Sequence, residues 1–507
     1  MGLDPKDVTA IIVTRGDVDL EPILATLPYG EIIVWDNSKR PVDRGVYGRY
    51  EAIAEASNDI IYFQDDDIIF TAHDELLAAY EPGKIVSNMG REWVESCGYF
   101  DLALVGLGSL VDKGLISRTF DRWFEVNDDS GNFIYECDFV FGVLCPFKRV
   151  DLGAEILDVA SAPNRLWAQG WQMEAKWDFI KRARALRKIT LALMVKNEEE
   201  HIRAAIKSCE GLVDNVAIVD TGSTDETIGV ALDACHALGL PCVVWERPWV
   251  NFGHNRNELV ERASQLGDYL LLMDGDETLE WGDNERKWPE LAADAYYLYY
   301  SGPTTYAHPR LVRSGVGWRY SSGVHSTIEP VGQDIDPPLL SCLEFLERPL
   351  VVHHGNARHV MEKLEADVLQ LTEMIFDDPH NTRAVFHLAK AIEGLGYRGE
   401  ALEAYRRCIS MSDWDEERFY CKYRMGMLEC SEVGFDVGVE TLLGAWRDRP
   451  WRAEPIRAIA LACNEIADNM PLPVGEILMV HRDAYRVVET VGSADKDVGT
   501  LADQEGM

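Results

Sequence analysis

Short apolar runs alternate with polar, helix-spaced segments through residues 8–70. "TAIIVT" (9–14), "EIIVWD" (31–36) and "DIIYFQ" (59–64) predict strands, with helices near 19–27 and over 47–57. This alternation begins an open parallel sheet. The same order restarts near residue 189. "ITLALMV" (189–195), "NVAIVD" (215–220), "PCVVWE" (241–246) and the run from Tyr269 predict strands, with helices from about 199, over about 224–238 and over 254–265. The two halves can be laid over each other. "RYEAIAEAS" (49–57) matches "RNELVERAS" (256–264) at Arg, Glu, Ala and Ser, and each is followed by an apolar run that ends in carboxylates. Asp36 with Ser38 stands where Asp220 and Ser223 stand. The pattern is that of two related α/β domains in tandem.

Beyond about residue 360 the period is helical throughout. "AVFHLAKAIEGLGYRGEALEAYRRCI" (384–409) reads as helix, glycine turn, helix, and 423–446 repeats it, with "LGY" (395–397) and "VGF" (433–435) at equivalent turns. The pattern resembles tetratricopeptide repeats, helix pairs of about 34 residues. The expected architecture is two tandem Rossmann-like α/β domains, 1–186 and 187–360, an all-α helical-repeat domain, 361–490, and a polar, disordered tail, 491–507.

Charge and cysteine content narrow the function classes. Of 507 residues, 86 are acidic and 49 basic, a net charge of −37. That opposes a sequence-independent grip on nucleic acid or docking on anionic lipid. The basic run "KRARALRK" (181–188) reads as a solvated helix or linker. Eleven cysteines show no zinc spacing and suit a reducing compartment. No apolar run approaches the ~20 residues of a membrane helix. The expected location is the cytoplasm.

The chemistry gathers at two strand ends, "QDDD" (64–67) and "MDGDE" (273–277). A strand gains nothing by ending in clustered like charge, which repels unless a cation sits between. In open α/β sheets, ligands bind beyond the carboxyl ends of strands. Carboxylates one residue apart, as at Asp65/Asp67 and Asp274/Asp276, can converge on one hard divalent cation, Mn²⁺ or Mg²⁺, with room for substrate phosphates. "GSTD" (222–225) is equally a turn with a helix cap. "YYLYY" (296–300) is either an acceptor-facing surface or a strand with rings in the core.

Six motifs in order, "MVKNEEEHI" (194–202), "IVDTGSTDET" (218–227), "WVNFGHNRNE" (249–258), "MDGDE" (273–277), "GVHSTIE" (323–329) and "VVHHG" (351–355), make residues 189–360 resemble a GT-A-type family 2 glycosyltransferase. The subgroup it resembles often carries tetratricopeptide repeats behind the catalytic domain. Residues 8–150 resemble another branch of family 2 through "IIVTRGD" (11–17), "WDNS" (35–38), "GRYEAI" (48–53) and "YFQDDDIIF" (62–70). The resemblance implies a nucleoside diphosphate sugar, a UDP-sugar first among donors. It implies that Asp220 and Asp36 read the base, that Asn197, Glu199 and Arg15 line its pocket, and that Arg256 and Arg49 reach base or diphosphate. Asp274, Asp65 and Asp66 join the nucleotide-sugar set. Asp276 and Asp67 hold the metal, with His353 or His354 as a further ligand. The subgroup's "VHE" glutamate is Ser326 here, which leaves His325 or Glu329 as the catalytic base. In the first domain the base is Asp138, with Glu136 behind it. Arg310 and Arg313 are lesser candidates for phosphate contact.

The leading expectation is thus a bifunctional glycosyltransferase that acts on hydroxyl groups of a protein or glycan. A modified nucleobase stays open as acceptor. Two alternatives remain: one active domain with the other as scaffold, or a tetratricopeptide-repeat adaptor with decayed enzyme domains. A nucleotidyltransferase would want a glycine-rich loop after the first strand, which "VTRGD" and "VKNEE" do not supply. No pattern speaks to oligomeric state.

Overall fold

The apolar runs 8–14, 60–65, 189–195, 215–220 and 269–274 become strands buried on both faces, as parallel sheets covered by helices require, while the runs 31–36 and 242–246 become half-exposed edge strands. The computed structural model describes residues 3–157, 170–301, 307–320, 328–330, 343–354 and 360–469. His325 and the tail 491–507 lie outside the described residues.

In the first half the order is β1 (Val8–Thr14), α1 (Glu21–Leu24), β2 (Glu31–Asp36), α2 (Gly48–Glu51), β3 (Ile60–Asp65), β4 (Ile68–Ile69), α3 (His73–Ala79), β5 (Ile85–Asn88), α4 (Arg91–Cys97), β6 (Ser109–Asp112), α5 (Lys113–Phe124), α6 (Phe133–Leu144), β7 (Phe147–Val150), β8 (Glu155–Ile156) and α7 (Gly170–Arg184). The second half runs β9 (Ile189–Val195), α8 (Ile202–Ser208), β10 (Asn215–Asp220), α9 (Thr227–Leu238), β11 (Cys242–Glu246), α10 (Phe252–Ala263), β12 (Tyr269–Asp274), β13 (Glu277–Glu280), β14 (Ala295–Tyr300), β15 (Ala307–Arg313), β16 (Trp318–Tyr320), β17 (Ile328–Pro330) and β18 (Leu343–His353).

The first sheet has the order β2-β1-β3-β6-β5-β7 and the second β11-β10-β9-β12-β15-β14-β18-β13. The two agree strand for strand. β1 lies between parallel β2 and β3, as β9 lies between β10 and β12. The next strand is antiparallel in both, β6 against β3 and β15 against β12. β5–β7 and β14–β18 are both parallel pairs. After each acidic cluster a short strand pairs antiparallel with the chain's return: β4 with β8, and β13 with the end of β18. β11 is an added edge strand in the second sheet.

Alternation along each strand sends residues to two cores. Ile11, Val13, Ile61 and Phe63 meet α5 and α6 on one face of the first sheet, while Val8, Ala10 and Tyr62 face the other. Leu191, Leu193 and Ile218 face one side of the second sheet, and Ala192, Val219 and Leu270 the opposite side. Each such large side chain is worth about 1.5–3 kcal/mol when fully buried.

The basic run at 181–188 is not solvated throughout. Arg184 gives two hydrogen bonds to Asp101 (2.8 and 2.7 Å) and one to Glu290. Arg187 is buried, pairs with Asp101 at 2.8 Å, and donates to the Leu291 carbonyl. Arg122 of α5 grips Asp268 of the second half (3.1 and 2.6 Å). The segment between the two sheets is therefore a buried ionic seam: Asp101 is buried, and a lone buried charge must be paired.

The C-terminal segment is α11 (Val360–Asp377), α12 (Thr382–Gly394), α13 (Arg398–Met411), α14 (Asp415–Glu432), α15 (Phe435–Asp448) and α16 (Glu454–Asn469). Turns fall at 395–397 and 433–434, as the repeat pattern expects. α14 and α15 approach closely at two glycines. A Cβ on Gly438 would lie 2.4 Å from the Cys430 amide nitrogen, and one on Gly426 would lie 3.0 Å from the Gly438 carbonyl oxygen. Gly438→Ala is therefore expected to destabilise the helical segment by about 1–3 kcal/mol through overpacking, against a propensity gain of about 1 kcal/mol. Loss of helical signal at a lower denaturant concentration would register it. No described helix is long and apolar enough to cross a membrane.

Candidate active site

β12 delivers Asp274 to the sheet's carboxyl edge, and α10 delivers Arg256 opposite it. One Arg256 Nη donates to both Asp274 oxygens at 2.9 and 3.1 Å. The guanidinium lies between the rings of Phe252 and Tyr320. Burial alone would raise the Asp274 pKa. Arg256 and Arg310 outweigh it and hold the carboxyl below the usual range.

Glu277, the third acid of the cluster, does not face the cleft. It is buried and accepts from Arg310 (2.7 Å), from the Tyr300 hydroxyl (2.7 Å) and from the Asp274 amide (2.9 Å). It locks the turn that presents Asp276. Arg310, a candidate for phosphate, is spent on this pair, and Arg313 is spent on Asp294. Tyr296 of "YYLYY" is in the core, while Tyr297 and Tyr299 stack outward on Phe345.

Strand alternation separates the two histidines. His353 Nε2 sits 3.1 Å from Asp276. His354 turns away to the Thr278 hydroxyl at 2.8 Å, and its amide donates to the Asp276 carbonyl at 2.9 Å. Asp276 raises the His353 pKa.

Of "KNEE", Glu198 is the residue at the acidic cluster. Burial first, then Asp276 and Asp274, push its carboxyl up to about 7. A Cβ on Gly275 would lie 2.9 Å from the Glu198 Cγ, so the glycine admits this close approach. Asn197 has φ 58°, which redirects the chain after β9. Its side chain accepts from the Thr224 amide at 2.7 Å. Glu199 is exposed and accepts from the Glu226 amide at 3.0 Å. The expectation from the sequence names Glu199, whereas the structure brings Glu198 to the acidic cluster through the left-handed turn at Asn197.

Beside this edge lies an open cleft of about 500 Å³, bounded by Asp220, Ser223, Asp225, Glu246 and Arg247. Its size suits a small-molecule ligand. Asp220 accepts from the Ser223 amide and hydroxyl at 3.1 and 2.6 Å.

The first sheet repeats the arrangement. Asp36 accepts from the Ser38 amide and hydroxyl at 3.0 and 2.6 Å. Arg49, 1% exposed, hydrogen-bonds Asp65 and lies 3.4 Å from Asp138 on α6, which also accepts from the Tyr50 hydroxyl at 2.7 Å. Burial pushes Asp138 up against the pull of Arg49. The structure thus joins Arg49, Asp65 and Asp138. Asp66 is not presented to the cleft; it is buried and accepts from the Thr14 hydroxyl at 2.7 Å. Arg15 pairs with Asp17 at 2.7 Å. Glu329, on β17, lies near Tyr297, whose phenol it affects.

Glu136 is fully buried, and neither carboxylate oxygen has a hydrogen-bond partner. Burial pushes it up to about 7, against the pull of Lys176. Its folded pKa exceeds its unfolded value, so stability it contributes below about pH 4.5 is lost as pH rises through about 7. Glu136→Gln should match the wild type at pH 5 and exceed it by about 2–3 kcal/mol at pH 8.5. Denaturant midpoints at the two pH values check this.

The family described as glycosyl transferase family 2 matches residues 190–312. A TPR repeat-containing protein of Synechococcus elongatus is 30% identical over 295 residues, 54% of this chain and 68% of that one. Residues 190–312 are a family 2 glycosyltransferase domain. An uncharacterized glycosyltransferase of Rickettsia typhi is 33% identical over 94 residues, 18% of this chain, and the match spans only 30% of that relative's length. Among solved structures, glucosyl-3-phosphoglycerate synthase from Mycobacterium tuberculosis, in complex with Mn²⁺, UDP-glucose and phosphoglyceric acid, is 29% identical over 19% of this chain and 36% of that one. Its TM-score is 0.16.

The family 2 domain raises the question of a divalent cation. Among the described residues no three ligating groups are already drawn together. The donor set of the second sheet nonetheless fits a hard ion. Asp276 and His353 meet at 3.1 Å, and the Glu198 side chain packs on Gly275 between the two aspartates.

Proposed function

We propose that the central domain of this family 2 glycosyltransferase moves a sugar from a nucleoside diphosphate sugar, a UDP-sugar first among donors, to an acceptor hydroxyl. The observation that carries this reading is the Asp274–Arg256 pair with Asp276 and His353 beyond the end of β12, beside the cleft that Asp220 borders. Asp276, Glu198 and His353 would hold Mn²⁺ or Mg²⁺, which when bound neutralises charge on the departing diphosphate as a Lewis acid.

The chain's own residues set the geometry. The nucleotide lies in the cleft, where Asp220 accepts from an imide N–H of the base. Arg256 fixes Asp274 toward the ribose and diphosphate, and its planar guanidinium suits further phosphate contact. Glu277 and Arg310 keep the Asp276 turn from collapsing inward. His325 or Glu329 takes the acceptor proton.

The first domain is read as a second transfer site. Asp36 faces the base, Arg49 the diphosphate, and Asp138 is the acceptor base. The alternative of a scaffold role is separated by the same experiment. The helical segment is read as tetratricopeptide-type repeats, supported by its paired helices and by the relative that carries that name. Such a surface suits a protein or glycan-bearing acceptor. All ten described cysteines are free thiols, in keeping with a cytoplasmic setting.

A donor screen tests the proposal. Hydrolysis or transfer from nucleotide sugars is measured with and without Mn²⁺ on the wild type, Asp67→Ala, Arg49→Ala and Asp276→Ala. Two distinct product losses support two transfer sites. If Asp67→Ala and Arg49→Ala are both silent, the first domain is a scaffold, and no turnover of any nucleotide sugar by the wild type rejects the reading.

A further inference from the structure

The strand-for-strand agreement of the two sheets allows each site position to be compared with its counterpart. Both acidic turns are tied to the returning strand by one hydrogen bond of 2.9 Å. In the second sheet the His354 amide donates to the Asp276 carbonyl; in the first, the Leu157 amide donates to the Asp67 carbonyl. That bond fixes the register. Leu157 occupies the place of His354, and Ile156, paired with Ile68, occupies the place of His353, paired with Glu277.

The imidazole beside Asp276 therefore has an aliphatic counterpart beside Asp67. No other histidine can replace it from within the first domain. Residues 1–186 contain one histidine, His73. It is buried among Tyr29, Tyr62 and Phe70 and bonded to the Tyr29 hydroxyl at 3.0 Å.

The third donor differs as well. β1 and β9 pair in the same register, Thr14 with Asp36 and Val195 with Asp220. Gly16, φ 81°, matches Asn197, φ 58°, so Asp17 occupies the place of Glu198. Asp17 is already paired with Arg15 at 2.7 Å, whereas the Glu198 side chain packs on Gly275, between Asp274 and Asp276, where a Cβ would lie 2.9 Å from its Cγ. Of the three donor positions in the second site, the first changes two, His353 to Ile156 and Glu198 to the Arg15-paired Asp17, and keeps an aspartate only at Asp67.

What the first site offers instead is guanidinium. Arg49 is 1% exposed; its Nε has no hydrogen-bond acceptor, and its Nη1 has only the Asp138 carboxylate at 3.4 Å, without hydrogen-bond geometry. Buried donors of this kind are costly unless a ligand supplies oxygens. Fixed, planar N–H groups suit phosphate.

We propose that the chain holds a single resident divalent cation, at Asp276, Glu198 and His353, and that the first site binds a nucleoside diphosphate without one, through Arg49. The inference rests on reading both edges as nucleotide sites. Mn²⁺ binding to the full chain, followed by the electron paramagnetic resonance of the free ion in the presence of UDP, tests it. One equivalent is expected. It should be retained in Asp67→Asn and lost in both Asp276→Asn and His353→Ala. Calorimetry with UDP should give two equivalents with Mn²⁺ and one in EDTA. The EDTA-resistant one should weaken about tenfold or more in Arg49→Lys, which keeps the charge but loses the planar fork. Two equivalents of Mn²⁺, or one that survives Asp276→Asn and disappears in Asp67→Asn, overturn this inference while leaving the nucleotide sites in place. Loss of all UDP binding in EDTA also overturns it. No UDP binding under either condition rejects the underlying reading instead.

Discussion

Asp276→Asn is expected to lower turnover at the central site by about 10²–10³-fold while leaving the fold intact. The substitution keeps shape and removes charge. The Asp276 side chain is 16% exposed and rests against a half-exposed imidazole, so no buried cation is stranded by the change. Asp274→Asn differs. There the lost carboxylate would leave Arg256 enclosed between Phe252 and Tyr320 without its partner, and both stability and activity should fall. Single-turnover product formation, read beside the thermal midpoint, separates the two. Asp276→Asn should move the first and not the second; Asp274→Asn should move both. Thr278→Ala removes the hydroxyl that His354 engages and should change neither, because that histidine faces away from the cluster. An Asp276→Asn enzyme with undiminished turnover would sink the assignment of this edge.

The parts of this site that were legible in the sequence are those fixed by strand ends. A buried run such as Tyr269–Met273 must stop where charge begins, so Asp274 and Asp276 fall at the edge whatever the rest of the fold does. The Arg49 and Arg256 matches were legible because the tandem halves preserve spacing. Which of two adjacent residues faces the cleft was not. His353 and His354 are separated only by the register of β13 on β18, a long-range pairing that no local pattern carries. Glu198 and Glu199 are separated by one backbone angle at Asn197. Helix extents failed for identifiable reasons. The expected 19–27 helix shrinks to Glu21–Leu24, opened by Pro22 and followed by Pro28. The expected 47–57 helix is one α-turn followed by a 3-10 turn, with Gly48, Arg49 and Tyr50 buried in succession, which no amphipathic face permits. The basic run 181–188 was misread because composition sees five charges and not Asp101, eighty residues earlier, that two of them share.

That shared carboxylate should make the two sheets unfold as one unit. Asp101 is buried and takes hydrogen bonds from Arg184 at 2.8 and 2.7 Å and an ion pair from Arg187 at 2.8 Å. The same arginines reach Glu290 and the Leu291 carbonyl of the second half. Asp101→Ala would strand two enclosed guanidinium groups, a loss of about 3–5 kcal/mol. Calorimetry should then resolve two transitions where the wild type gives one. The pH dependence has a defined sign. Burial raises the Asp101 pKa, but Arg187 and Arg184 outweigh it and hold the carboxyl at about 2. A depressed folded value means that its contribution is complete above the ordinary carboxylate value of about 4 and is lost as pH falls toward 2. The stability gap between wild type and Asp101→Asn should therefore be widest near pH 7 and should narrow by about 2 kcal/mol on acidification to pH 2. A gap that stays constant across that range would mean that packing, not the charge on Asp101, joins the two sheets. In that case Arg187→Met, which removes the buried cation together with its demand for a partner, should be tolerated nearly as well as the native pair.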